Sequence, residues 1–85
     1  MSWLPVSYDR ETGWGCYLMR MQSGAVTLAH EHPGMEDFLV LEGDLVDSDG
    51  TVFAAWDFVS YEAGTRHNSW TTGGCLLAVF EWKRE

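Results

Sequence analysis

Short runs of β-branched and aromatic residues dominate the chain, and clusters of glycine, aspartate and serine separate them. Such runs predict β-strands, and the clusters between them predict tight turns. No long segment shows the 3.6-residue repeat of apolar positions that is typical of an amphipathic helix. Many short strands at close spacing predict an all-β sandwich or barrel. We expect eight strands, at residues 4–8, 15–21, 25–30, 37–43, 51–55, 57–62, 66–71 and 75–82.

Size and charge exclude several classes of function. The 85 residues are enough for one domain, which we expect to span 1–85. A net charge of −8 with only five Lys and Arg excludes the basic surface that nucleic-acid binding requires, and it disfavours anionic membranes. No apolar run approaches the roughly 20 residues of a membrane span. The first residues lack the features of a signal peptide, so the expected location is the cytoplasm.

The two cysteines, Cys16 and Cys75, are far apart in sequence and form no CxxC pair. The sequence therefore does not predict a zinc knuckle or a thioredoxin-type redox site. In a reducing cytoplasm we expect both to be buried free thiols, with a disulfide or a thiolate metal ligand as the alternatives.

The segment Asp37–Glu42, with the sequence DFLVLE, is apolar on both faces of a predicted strand. Phe38 and Val40 share one face, and Leu39 and Leu41 share the other. A strand of this kind must be covered on both sides. In so small a domain the second cover can come from another copy of the chain, which predicts a homodimer.

All three histidines of the chain are placed where they can converge with a carboxylate. His30 and His32 are two residues apart, so on a strand their imidazoles share a face. Glu36 follows the turn-like Pro33-Gly34, and His67 follows a later turn on another strand. Convergence would create a site with three imidazoles and one carboxylate, which are ligands suited to transition metals.

Taken singly, none of these residues indicates a metal. A His-x-His pair on a strand is common, a lone histidine such as His67 is more typical of a core or surface position, and Glu36 alone is more typical of a solvated carboxylate. Only the complete pattern makes the metal interpretation the stronger one.

The complete spacing from residue 24 to residue 43 resembles the first motif of the cupin family. Gly24 is followed by five residues, His30-x-His32, three residues, Glu36, six residues and Gly43, and every position of the motif is matched. The stretch HEHPGMEDFLVLEG looks like the cupin subgroup named after the anti-sigma factor ChrR.

The second cupin motif is degenerate and spans residues 56–71. Gly64 and His67 match it, so the position of the metal ligand is kept. Other residues stand where the motif has glycine, proline and asparagine, namely Trp56, Glu62 and Thr71.

The resemblance implies a double-stranded β-helix, or jelly-roll barrel, of about eight short antiparallel strands. It also implies a divalent metal ion (iron, zinc, nickel or manganese) held by His30, His32, Glu36 and His67. The alternative is a cupin that keeps these residues without a tightly bound metal and uses them to contact a ligand directly.

Strand phase identifies candidate residues for a pocket beside the metal. Side chains two residues apart on a strand share a face, so residues in phase with His30, Glu36 and His67 are expected to point inward. Tyr17 and Met19 on the preceding strand can join them, although they are also typical of plain core. The candidates are Tyr17, Met19, Val26, Leu28, Phe38, Val40 and Ser69.

Three functions remain open. The first is a metal-dependent enzyme of dioxygenase or isomerase type that acts on a small molecule, with no catalytic residue assigned beyond the metal site. The second is a non-catalytic sensor that binds a metal or ligand, related to the anti-sigma cupins. That regulator has another domain, which binds its sigma factor through zinc, and the chain has no second cysteine–histidine cluster for this role. The third is an interaction protein that has only inherited the fold.

Overall fold

The computed structural model describes residues 1–27, 30–31, 34–64 and 66–82, apart from the side chains of His30, Glu31 and Arg66. This part of the chain contains nine β-strands. Their bounds are β1 (Ser2–Asp9), β2 (Trp14–Met21), β3 (His30–Glu31), β4 (Met35–Asp47), β5 (Val52–Ala54), β6 (Phe58–Tyr61), β7 (Arg66–His67), β8 (Ser69–Trp70) and β9 (Cys75–Trp82).

The strands form a seven-stranded sheet and a separate pair. The main path of the large sheet has the strand order β1-β2-β9-β4-β5. In addition, β6 and β8 each pair with β4. The separate pair consists of β3 and β7. Every pairing is antiparallel. The prediction of an all-β jelly-roll fold is confirmed, and no helix occurs in the described ranges. Within those ranges, no helix has the length and apolar character that membrane crossing requires.

The long strand β4 changes phase near its middle. The register with β9 shifts between Val40 and Glu42, which marks a β-bulge. Before the bulge the even-numbered residues Phe38 and Val40 are buried, and after it the odd-numbered Leu45 and Asp47 are buried. Because one extra residue turns every later side chain to the opposite face, the bulge brings Asp47 to the inside of the domain.

Residues 25–27, where the predicted strand 25–30 begins, form an isolated bridge and not a regular strand. Val26 forms a single bridge with Trp70, and the Thr27 backbone N–H donates to the Ser69 carbonyl oxygen at 2.8 Å. The next described strand is β3, His30–Glu31. Leu28 and Ala29 lie outside the described residues.

The core lies on the inner face of the large sheet. Buried side chains from β2, β4 and β9 form one cluster: Met21, Phe38, Val40, Leu45, Cys75, Leu77 and Val79. Both cysteines are free thiols. Cys75 is buried, as expected, whereas Cys16 is only partly buried.

Candidate functional site

A cavity of about 420 Å³ opens on the inner face of the sheet. Strands β1, β2, β4, β7, β8 and β9 contribute to its lining, together with the segment before β3. Most of the lining is apolar. Its polar side-chain groups are two carboxylates, one imidazole, three hydroxyls and the indole N–H of Trp3. The lining residues are Met1, Trp3, Tyr17, Met19, Val26, Thr27, Glu36, Phe38, Leu45, His67, Ser69, Leu77, Val79 and Glu81.

The predicted pocket residues have three different placements. Five of the seven line this cavity: Tyr17, Met19, Val26, Phe38 and Ser69. Val40 has no exposed surface and belongs to the core instead of the cavity wall. The reason is packing, because the Val40 side chain is enclosed in the buried cluster that includes Met21, Leu45 and Cys75. Leu28 lies outside the described residues.

The predicted metal ligands are only partly described. Glu36 and His67 line the same cavity. His30 lies directly opposite His67 in the ladder of β3 and β7, so the two backbones are neighbours. His32 and the side chain of His30 lie outside the described part. Among the side chains that are described, no group of three or more His, Cys, Asp or Glu is placed to hold a metal ion.

A pair of carboxylates lies on one side of the cavity. Glu36 on β4 is the register partner of Glu81 on β9, and the Tyr17 hydroxyl donates a hydrogen bond to Glu81 Oε1 at 3.3 Å. Burial, followed by the charge of Glu81 and a hydrogen bond with it, raises the pKa of Glu36 to about 8. Burial and the same two carboxylates raise the pKa of Tyr17 well above its ordinary value.

His67 belongs to a second polar group. Its Nδ1 lies 3.2 Å from Oδ1 of Asp47, and the Tyr61 hydroxyl donates to Oδ2 of Asp47 at 2.8 Å. The Tyr61 ring stacks on the imidazole, with 4.1 Å between the ring centres. Burial, followed by the hydrogen bond to Asp47 and its negative charge, raises the pKa of Tyr61.

Two functional candidates, Glu81 and Asp47, were missed by the sequence analysis. The phase of β9 could have identified Glu81, because Leu77, Val79 and Glu81 alternate along one strand and all line the cavity. Asp47 lies outside the strand predicted at 37–43, and in the structure it is the last residue of β4. Its inward direction depends on the bulge in β4, which leaves no pattern in the sequence.

The described donors suit a divalent transition metal. An imidazole from His67 and a carboxylate from Glu36 reach one cavity, and the backbone of His30 adjoins His67. Nitrogen and carboxylate oxygen together suit zinc, iron, nickel and manganese. The residues therefore fit the metal that the sequence pattern implies.

Solved structures with similar folds include several cupins. A cupin superfamily protein from Desulfitobacterium hafniense is 14% identical, with a TM-score of 0.86, and the match covers 98% of this chain and 77% of that one. The complex of Rhodobacter sphaeroides SigE with the anti-sigma ChrR gives 23% identity and a TM-score of 0.72, covering 79% and 38%.

An acetylacetone dioxygenase from Acinetobacter johnsonii is 15% identical, with a TM-score of 0.79, and the match covers 93% of this chain and 58% of that one. At these identities the similarity concerns the fold.

A search of curated proteins finds no match to the chain. The ChrR cupin-like domain family matches residues 1–85, the whole of the sequence. The chain therefore belongs to the ChrR cupin-like domain family.

Proposed function

We propose that this protein is a small metal-binding cupin whose ligands are His30, His32, Glu36 and His67. The observation that carries the proposal is the pairing of His30 with His67 beside a cavity that Glu36 also lines. Directly opposed residues of an antiparallel pair are close neighbours, so the fold brings two of the three histidines together. His32 enters the proposal from its spacing to His30 in the sequence.

The metal would supply Lewis acidity or, if it is iron, redox chemistry at the cavity. The protein's own contribution is the cavity itself. Apolar side chains such as Phe38, Leu77 and Val79 exclude water from most of its lining. The hydroxyls of Thr27 and Ser69 lie 3.0 Å apart and hold the segment before β3 against β8.

The cavity favours a small and largely apolar ligand. Its volume of about 420 Å³ is at the lower end of the range for small-molecule sites. Among the described side chains of the lining, the acidic groups are Glu36 and Glu81, and none is a lysine or arginine. Because most of this lining is apolar and no lysine or arginine of the described part faces the cavity, we propose a neutral molecule as the ligand.

Metal binding is tested by titrating tag-free protein with zinc and cobalt, with Glu36→Gln as the key variant. The matched control is Glu42→Gln, because Glu42 is on the same strand but exposed, where it pairs with Arg20 at 3.3 Å. The proposal predicts one tight site per chain, weakened at least about tenfold by Glu36→Gln and unchanged by Glu42→Gln. Equal affinity in all three proteins would refute the ligand assignment.

Whether the site is catalytic is a separate test. The iron-loaded protein is mixed with neutral diketones and phenols, and oxygen consumption is recorded. Turnover that is lost in His67→Ala supports the enzyme of dioxygenase type. A tight metal site with no turnover on any compound supports the alternative proposal, a sensor module that binds a ligand without converting it.

We further propose that two copies associate through the outer face of the large sheet. Cross-strand pairing aligns one continuous apolar row over five strands, made of Leu4, Leu18, Ala78, Leu39 and Phe58. Both end members, Leu4 and Phe58, are 61% exposed in the single chain. Each copy carries a net charge of −8, and an uncharged row allows two copies to meet without opposing like charges.

The proposed location is the cytoplasm. Cys16 and Cys75 are both free thiols in the fold. Free thiols persist in reducing compartments, whereas oxidising compartments favour disulfides. This observation supports the location that we propose.

A further inference from the structure

A buried carboxylate contacts the histidine at the proposed metal site. Asp47 is the last residue of β4, and His67 is the second residue of β7. Their side chains are only 11% and 10% exposed, and Asp47 Oδ1 lies 3.2 Å from His67 Nδ1. A carboxylate buried to this degree is costly unless hydrogen bonds compensate it, and the second hydrogen bond comes from Tyr61.

The contact assigns a tautomer to the neutral imidazole. An ionised carboxylate can only accept hydrogen bonds, so the ring nitrogen that faces Asp47 must carry the proton. In the neutral ring the lone pair is then on Nε2, which is the form that a metal requires.

Tyr61 fixes the same ring in two ways. Its hydroxyl donates to Asp47 Oδ2 at 2.8 Å, which orients the carboxylate. Its ring lies almost parallel to the imidazole, at an angle of 17° and with 4.1 Å between ring centres. The plane of the His67 ring is therefore held by a stack on one face and a hydrogen bond at one edge.

We propose that Asp47 and Tyr61 are positioning residues that hold His67 as the Nδ1–H tautomer, so that Nε2 is the nitrogen that binds metal. This inference rests on the proposed metal function and adds two residues outside the motif-one segment to the site. A carboxylate partner of a metal-binding histidine fixes the orientation of the ring and raises its basicity as a ligand.

The test combines a measurement without metal and a measurement with metal. In the metal-free protein, ¹⁵N NMR of the imidazole reports which ring nitrogen carries the proton. Zinc competition titrations then report affinity. The variants are Asp47→Ala, which removes the acceptor, Asp47→Asn, which keeps an oxygen acceptor, and Tyr61→Phe, which keeps the stacked ring. The control is Asp49→Ala, because Asp49 is exposed and bonded to the Thr51 backbone.

The inference predicts Nδ1–H in the wild type and in Asp49→Ala, with a shift toward Nε2–H in Asp47→Ala. It also predicts that Asp47→Ala lowers zinc affinity about 10–100-fold, and that Asp47→Asn and Tyr61→Phe lower it less. A wild-type imidazole with the proton on Nε2, or an Asp47→Ala variant with wild-type tautomer and affinity, overturns the inference.

The two proposals fail in different ways. If the wild type binds no metal but Asp47→Ala still shifts the tautomer, the metal function is refuted and the positioning of His67 stands. If the wild type binds metal but the tautomer is insensitive to Asp47, the metal function stands and the positioning role is refuted. Should Asp47→Ala fail to fold, Asp47→Asn and Tyr61→Phe still decide the question through affinity and tautomer.

Discussion

Glu36 and Glu81 lie directly opposite each other on β4 and β9, and both line the cavity beside His67. Two carboxylates in adjacent, partly buried positions cannot both ionise without cost. In the metal-free protein the pair therefore holds a proton at pH values where an isolated glutamate has lost it, and this retention of a proton can be measured as a dependence of stability on pH.

The metal-free protein is expected to lose stability as pH rises from about 5 to about 8. The folded pKa of Glu36 is raised from 4.5 to about 8, so the folded state keeps a proton that the unfolded state has released. Stability therefore falls across this window, by at most about 1.4 kcal/mol for each pH unit for one proton. Urea unfolding in the presence of a chelator, at a series of pH values, measures the slope.

The control for this prediction is Glu81→Gln, which removes the opposing charge and keeps the shape. It should reduce the slope without abolishing it, because the Glu81 charge no longer raises the pKa of Glu36 while burial, the larger cause, still does. A wild-type slope of zero, or equal slopes in the two proteins, would contradict the assignment.

The two glycines that bound the first motif should respond differently to alanine. Both have positive φ, 82° at Gly24 and 76° at Gly43. A Cβ at Gly24 meets open space, whereas a Cβ at Gly43 would collide with the carbonyl oxygen of Gly74. Gly24→Ala should cost about 1–2 kcal/mol from the backbone alone, and Gly43→Ala should cost clearly more. Thermal unfolding compares them, and equal losses would show that the close approach to Gly74 is unimportant.

Trp56 should be replaceable by glycine with a gain in stability. It has a φ of 75° and is 74% exposed, at the position where the second cupin motif has glycine. Glycine removes the left-handed backbone penalty of about 1–2 kcal/mol but adds flexibility to the unfolded chain. We expect Trp56→Gly to stabilise by up to about 1 kcal/mol in urea unfolding. Trp56→Ala keeps the penalty and should not stabilise, and a gain in both variants would point to the exposed ring instead.

The outer apolar row should control association. Sedimentation at micromolar concentration is expected to show twice the mass of one chain for the wild type. Phe58→Asp places a charge at the exposed end of the row and should yield the single-chain mass. Val52→Asp is the matched control, because Val52 is similarly exposed, at 58%, but lies on β5, outside the row. A wild type that sediments as one chain would refute the dimer.

The fold class was predictable because strands and turns leave local patterns. The phase of Glu36 predicted an inward position for Phe38, which lines the cavity. Tyr17 and Met19 were candidates for either the cavity wall or plain core, and both line the cavity. The resemblance to the cupin motifs implied that His67 would come near the first motif. The backbone pairing of His67 with His30 agrees with that expectation. These features depend on strand period and on turn chemistry, which are properties of the sequence.

Other parts of the site depend on register, which no local pattern records. The bulge between Val40 and Glu42 reverses the phase of β4 and turns Asp47 inward toward His67. The same long-range pairing places Glu81 opposite Glu36. The side chain of Val40 joins the buried core cluster for a similar reason, because strand packing decides which inward residues reach the cavity.

The central claim is that a metal ion binds beside the cavity at the first motif. Crystals of zinc-loaded, tag-free protein would test it most directly, through anomalous scattering recorded on both sides of the zinc absorption edge. The account predicts one anomalous peak at about 2.0–2.2 Å from the carboxylate of Glu36 and from imidazole nitrogens that include Nε2 of His67. A fully loaded crystal whose only peak lies away from Glu36 and His67 would contradict it.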